Sequence, residues 1–223
     1  DFDGDEMNLH MPQDSASSVE LLNLAAIPYQ IISPSNNAPI IGIFQDSMLG
    51  AYRFTRSNIN FNKSDAMDLL MSFKNINELE LLNYDNTISN FNLLSQIMPP
   101  LTIKHKNKFY DDDTESSTES NNIIEIKNGH YIRGQIDKGI LGSCTKGILH
   151  RVVNDFGNKR ASDFIDDFQD IITKYMKSSS YSVGISDLIT DSVTNEKIKN
   201  IINEKQNEIN DLINNIKLGI FEN

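Results

Sequence analysis

An α+β fold is predicted from three patterns in the sequence. Ile123 to Ile126 and Tyr131 to Ile136 are β-type runs joined through Asn128-Gly129, a pair that supplies the positive-φ positions a tight hairpin turn needs. Ala161 to Tyr175 repeats Phe164, Ile165, Phe168, Ile171, Ile172 and Tyr175 at helical spacing, the mark of an amphipathic helix. A final helical pattern, from about Asn195 to Leu218, lines up Ile198, Ile202, Ile209, Leu212, Ile213 and Ile216 on one stripe that requires a partner.

The remaining elements follow in chain order. Ser17 to Leu24 carries a short helical pattern through Val19 and Leu22, closed by Pro28. Tyr29 to Ser33 and Ile40 to Phe44 read as strands about the turn-rich Pro34-Ser35-Asn36-Asn37, a hairpin-like unit. A helix is expected from Ser64, taken as N-cap with Asp65 and Asp68 in the first turn and Met67, Leu70 and Met71 on one face. Phe91 to Met98 is a further apolar segment stopped by Pro99-Pro100. The tract Asp111 to Glu119 holds no apolar residue and reads as a solvated loop. Glycines 134, 139, 142 and 147 suggest tight backbone turns, and no phosphate-cradling glycine motif accompanies them.

Composition excludes several classes of function. With 223 residues and 39% hydrophobic content, the chain can form one large domain or two small ones. Its apolar runs are far shorter than the roughly 20 residues that cross a bilayer, so no membrane partner is expected. A formal net charge of −11 argues against a self-sufficient electrostatic clamp on nucleic acid, because such clamps cluster Lys and Arg. The single cysteine, Cys144, has no Cys or His cluster around it, which favours a reducing intracellular compartment over a disulfide or zinc site. His105, His130 and His150 are scattered and read as structural. The chain starts on a motif residue and stops soon after its last helix, and both ends are expected to be cuts through a larger polypeptide.

The chemistry is concentrated at the start. Asp1, Asp3 and Asp5 alternate with Phe2 and Gly4, so an extended or gently curled backbone directs three carboxylates to one side. Two carboxylates about 4 Å apart repel by roughly 4 kcal/mol at an effective dielectric near 20, so a converging trio calls for a cation. Gly4 permits the curl that would bring oxygens to the roughly 2.0 to 2.1 Å magnesium demands. A calcium loop also begins with alternating aspartates, yet its sixth and twelfth positions hold Glu6 and Pro12 here instead of Gly and Glu. An acidic surface turn remains open on spacing alone.

The longer string Asp1-Phe2-Asp3-Gly4-Asp5-Glu6-Met7-Asn8-Leu9-His10-Met11-Pro12-Gln13 closely resembles the signature of the largest subunit of multisubunit DNA-directed RNA polymerases, although the Asn-Ala pair that precedes it there is absent. The resemblance continues through Ala26 to Pro34, Gly42 to Gly50 and Gly134 to Lys138, and resumes at Tyr181 to Asp187. Met7 and the Ser-Pro and Gln-Asp segments resemble the eukaryotic, archaeal and large-DNA-virus branch.

The resemblance implies an internal fragment of that subunit. Residues 1–38 would be the end of a double-psi β-barrel active-site domain, 39–187 a mixed α/β pore domain, and 188–223 the first helix of a helical funnel. Asp1, Asp3 and Asp5 would be the catalytic carboxylates that chelate Mg2+ for template-directed addition of ribonucleoside triphosphates to the RNA 3′ end. Glu6 and His10 invite roles as a further metal ligand and a proton donor, or, with Asn8, as hydrogen-bonding support around the loop. Gln45 and Asp46 could orient the loop or line the site. Implied partners are the second-largest subunit and other polymerase subunits, the DNA template, the RNA transcript and the nucleotides. The implied location is the nucleus for a cellular enzyme, or the host cytoplasm or virion for a viral one. The alternative is a non-catalytic metal-binding or structural segment of a larger assembly.

Overall fold

The computed structural model describes residues 4–73, 76–77, 81, 86–107 and 121–220. The chain divides into two compact units, Asp1–Ser179 and Ser180–Asn223. Mixed helices and small antiparallel sheets make the first unit α+β, in agreement with the sequence.

Helix α1, Ser15–Glu20, is capped by Asp14, which accepts from the Ser17 N–H at 2.6 Å. A π-helical turn, Leu21–Ala25, continues it, and Pro28 at the start of a 3-10 turn, Ile27–Gln30, redirects the chain. The first hairpin is shorter than the sequence suggests. Tyr29 and Gln30 belong to the 3-10 turn because Pro28 presets its φ. Pairing is confined to β1, Ile32–Ser33, and β2, Ala38–Pro39, with Ile40 donating once more to the Ile31 carbonyl at 2.8 Å.

Helix α2, Gln45–Phe54, follows, a helix the sequence reading did not separate from its glycine-bearing surroundings. β3, Asn60–Asn62, pairs with β4, Thr87–Ser89, and both escaped notice in Asn-rich sequence. Helix α3, Lys63–Leu70, begins one residue before Ser64, and its cap is Asn62, whose side chain accepts from the Asp65 N–H at 2.8 Å. The expected apolar face also differs. Ala66, Leu69 and Leu70 are buried, whereas Met67 and Met71 are exposed. Helix α4, Asn90–Ile97, covers the expected segment and ends before Pro99-Pro100.

β5, Ile103–Lys106, β6, Ile123–Lys127, and β7, His130–Arg133, form an antiparallel sheet in that order. Asn128 (φ 47°) and Gly129 (φ 83°) turn the predicted hairpin in the left-handed region its type requires. The acidic tract 111–119 lies outside the described residues. The sheet's inner face buries Ile103, Ile124, Ile126 and Tyr131. Gly134 cannot be replaced without backbone movement, since its φ is 97° and an added Cβ would stand 2.4 Å from the Ile123 oxygen.

After the short helix α5, Lys138–Leu141, comes α6, Ile148–Ser179, broken at Gly157 (φ 83°, ψ 169°). Its second half contains the predicted Ala161 to Tyr175 helix, with Ala161, Phe164, Phe168, Ile171, Ile172 and Tyr175 buried as the spacing requires. Each large apolar side chain so buried contributes about 1.5–3 kcal/mol. Tyr175 joins Phe54 of α2 edge-on at 5.0 Å, and Phe54 stacks with Phe61 of β3 at 5.6 Å. These aromatic contacts bind α2, β3 and α6 into one core.

The second unit holds a 3-10 turn, Ile185–Leu188, and helix α7, Ser192–Lys217, capped by Asp191. Its predicted stripe, including Ile198, Ile202, Ile209 and Ile213, is exposed along the helix.

Candidate functional site: the acidic loop and its support

Asp5 is the member of the carboxylate trio among the described residues, and Asp1 and Asp3 lie outside them. The loop from Gly4 to Pro12 has no regular secondary structure, and Asp5, Glu6, Asn8 and His10 are all exposed on it. Gly4 adopts φ 97° with open space where a Cβ would stand. Its backbone conformation, rather than crowding, therefore calls for glycine. Among the described residues no group of three or more His, Cys, Asp or Glu side chains is arranged to hold a metal ion. The donor set the sequence supplies, three aspartates around a left-handed glycine, has the hard oxygen chemistry that magnesium takes.

The loop and the helical turns that follow it carry uncovered apolar side chains. Met7 and Leu9 are 95% and 99% exposed, and Met11, Val19, Leu22 and Leu24 are also exposed. A run of this kind on a soluble surface marks contact with another surface. Asp14 caps α1 midway along this stretch, where the hydrogen bond from the Ser17 N–H, aided by the Ser17 hydroxyl, holds its carboxyl below the ordinary aspartate value.

Gln45 and Asp46 begin α2. Gln45 sits at φ 51°, an uncommon conformation for a non-glycine residue. Ser47 accepts from Gln169 of α6 at 2.8 Å. Gly50 lets α2 and α6 approach, because an added Cβ would fall 2.5 Å from Ile172 Cγ2.

The C-terminal end of α2 is satisfied from three separate parts of the chain. Thr55 Oγ1 donates to the Ala51 carbonyl at 2.8 Å and accepts from the Ile136 N–H at 2.9 Å. Gln135 donates to the Tyr52 carbonyl at 2.8 Å. Asn90 donates to the carbonyls of Phe54 and Arg56. Asn107 closes the set by donating to the Gln135 carbonyl at 2.9 Å. Thr55, Asn90, Asn107 and Gln135 are buried, so these bonds satisfy polar groups of the side chains that burial would otherwise leave costly. Sequence reasoning missed this network because nothing separates Asn90 and Asn107 from the chain's many exposed asparagines.

A cavity of about 400 Å3 is lined by Ser72, Gln96, Arg160, Asp163 and Asp167 among others. Burial raises the Asp167 carboxyl above its ordinary value; Arg160 opposes that shift and the neighbouring aspartates add to it. His150 lies near Asn37 and Asn154 at 3.4 and 3.5 Å, a bridging position consistent with its structural reading. Cys144 is half-buried, with its thiol donating to the Lys138 carbonyl. No helix among the described residues is long and apolar enough to cross a membrane.

Comparison with known proteins places these features in a family context. The family profile described as RNA polymerase Rpb1, domain 3, matches residues 30–188. DNA-directed RNA polymerase subunit 1 of Acanthamoeba polyphaga mimivirus is 32% identical over 209 residues, covering 93% of this chain and 13% of that subunit. DNA-directed RNA polymerase subunit Rpo1N of Methanococcus vannielii is 30% identical over 230 residues, covering all of this chain and 26% of that subunit. DNA-directed RNA polymerase II subunit RPB1-B of Trypanosoma brucei brucei is 29% identical, covering 91% of this chain and 11% of that subunit. The chain thus spans only a minor part of the curated relatives it matches.

Proposed function

Because the chain belongs to the family of RNA polymerase largest subunits, matching their domain 3 over most of its length, we propose that it serves in template-directed RNA synthesis as part of the catalytic subunit of a multisubunit enzyme. The observation that carries the reading is the aspartate-rich string Asp1 to Gln13, N-terminal to the matched region that begins at residue 30, with Gly4 in a left-handed conformation. Residues 1–38 are assigned to the end of a double-psi β-barrel, 39–187 to a pore domain and 188–223 to the start of a helical funnel. The exposed apolar segment from Met7 to Leu24 supports the first assignment, since it needs a covering surface. The uncovered stripe of α7 supports the last, since an amphipathic helix of this length is stabilised by packing that stripe.

In this reading Asp1, Asp3 and Asp5 hold Mg2+. When bound, the ion lowers the pKa of the RNA 3′-hydroxyl and neutralises charge on the transferring phosphate. The chain's own part is alignment. Gly4 supplies the curl that turns the carboxylates to one side, and Glu6, Asn8 and His10 support the loop by hydrogen bonding from its exposed flank. Catalysis of this kind depends mainly on positioning and charge stabilisation, so a small displacement of the loop is costly. The second-largest subunit, template, transcript and nucleotides complete the site, in the nucleus for a cellular enzyme or in a viral compartment for a viral one.

The test is Asp3→Ala in the complete enzyme. Nucleotide addition is expected to be abolished while subunit assembly, followed by gel filtration, is retained. Elongation at the wild-type rate by that variant would overturn the proposal, as would RNA synthesis by the 223-residue chain alone.

A further inference from the structure

We propose that the outward face of the β5–β6–β7 sheet docks an acidic polypeptide segment that carries an apolar side chain. The chain has a net charge of −11, yet the described residues of this face carry the opposite sign. Cross-strand pairing sets Lys104 opposite Glu125 and Glu125 opposite Arg133, so the three side chains form one row on the face turned away from the buried Ile103, Ile124 and Ile126. Lys106 and Lys127 stand two residues along their strands from members of that row and share its face. Lys127 and Arg133 both bond the Glu125 carboxylate, at 2.9 and 3.0 Å, and hold it below the ordinary glutamate value. Among the described residues, then, Lys104, Lys106, Lys127 and Arg133 surround the single carboxylate of Glu125, and Lys104 and Lys127 are exposed.

A second feature selects the kind of anion. The β6–β7 register is irregular at Glu125/Ile126, so that Ile132 is the extra residue of β7, and its side chain is 44% exposed beside the basic row. Bulges re-aim side chains in this way. An exposed aliphatic group rimmed by charge suits a protein partner, whose apolar anchor it can bury. A nucleic-acid strand is disfavoured on three counts. Glu125 stands at the centre of the row, the strands' outward face offers one aromatic ring among the described residues, His130 opposite Lys127, where stacking successive bases takes several, and the field of an acidic chain repels a dense polyanion. A short acidic segment meets the local positive charge without that penalty.

The experiment titrates the 223-residue chain with a fluorescently labelled peptide of alternating Glu and Leu residues, followed by anisotropy, beside an oligouridylate of equal charge. Peptide binding is expected, weakened roughly tenfold by Lys104→Gln combined with Lys127→Gln, a loss of about 1.4 kcal/mol. It should weaken again in Ile132→Ser, and should largely vanish at about 1 M salt, where the screening length is roughly 3 Å. Circular dichroism of each variant confirms that the exposed substitutions leave the fold unchanged. Failure of the peptide to bind, tighter binding of the oligouridylate, or indifference to these substitutions would overturn the proposal. So would binding that appears only after deletion of residues 111–119, since the face would then belong to the chain's own acidic tract.

Discussion

Replacing Gly50 by Ala sets two opposing effects against each other at the α2–α6 contact. An exposed helical glycine changed to alanine gains about 1 kcal/mol from backbone entropy. Here the added Cβ would lie 2.5 Å from Ile172 Cγ2 and 2.8 Å from Met176 Cγ, whereas ordinary contact begins at 3.4 Å, an overlap of roughly 0.9 Å against Ile172. Met176 is flexible and half-buried and can move aside. Ile172 is fully buried and β-branched, so its rotamer is fixed and the helices must separate. Overpacking of this kind costs about 1–3 kcal/mol, which leaves a net destabilisation of about 0–2 kcal/mol, or a melting temperature lower by up to roughly 8 °C for a unit of this size. Thermal and urea unfolding followed by circular dichroism measure it. The cause is isolated by a double-mutant cycle with Ile172→Ala, which removes the clashing methyl group and costs about 2–5 kcal/mol by itself. The double variant must fall short of the summed single losses by at least about 1 kcal/mol. Additive losses, or a stabilised Gly50→Ala, would refute close helix approach as the reason for glycine.

Other consequences are open to direct measurement. Burial, with the nearby Asp137 charge adding, raises the Tyr131 phenol far above its ordinary value near 10, and its hydroxyl donates to the Gly134 carbonyl at 2.7 Å. Its contribution to stability is complete below pH 10 and is lost as pH rises beyond it, at a slope of about 1.4 kcal/mol per pH unit; urea titrations between pH 9 and about 11 should show that slope in the wild type and its absence in Tyr131→Phe. Asn90→Ala leaves the Phe54 and Arg56 carbonyls without their side-chain donor and should cost about 1–3 kcal/mol in the urea midpoint. Calorimetry of the complete polymerase should show magnesium binding that Asp3→Ala abolishes. Retained binding of equal affinity in that variant would remove the three-aspartate site.

Much of the fold was legible where pattern and local chemistry agree. The 3.6-residue spacing from Ala161 to Tyr175 identified both the helix and its buried face. Asn128-Gly129 identified a hairpin because few other pairs tolerate the backbone it uses. Legibility failed where an element is short or its face is chosen by neighbours. Three-residue β3 and β4 have no period to detect, and each is a strand only because the other pairs with it. Met67 and Met71 share a face with Leu70 by spacing, yet the core meets Ala66, Leu69 and Leu70 because of how α3 lies on its neighbours. In the candidate site, the residue types and spacing of Asp1, Asp3 and Asp5, together with Gly4, were readable in advance; elsewhere, the buried network of Thr55, Asn90, Asn107 and Gln135 at the end of α2 was not.

By itself, then, the sequence determined which family this chain belongs to and supplied Asp1, Asp3 and Asp5 as the proposed holders of a hard cation, because both readings rest on residue identity and spacing. It also determined the helices and hairpin whose stability is written in local periodicity. Only the tertiary structure decided that Gly50 is a contact between helices, that Asn90 and Gln135 hold the end of α2, and that lysines on neighbouring strands share one face with an outward-turned Ile132. Those are relations between residues tens of positions apart. Packing and register create them, and no local propensity encodes them.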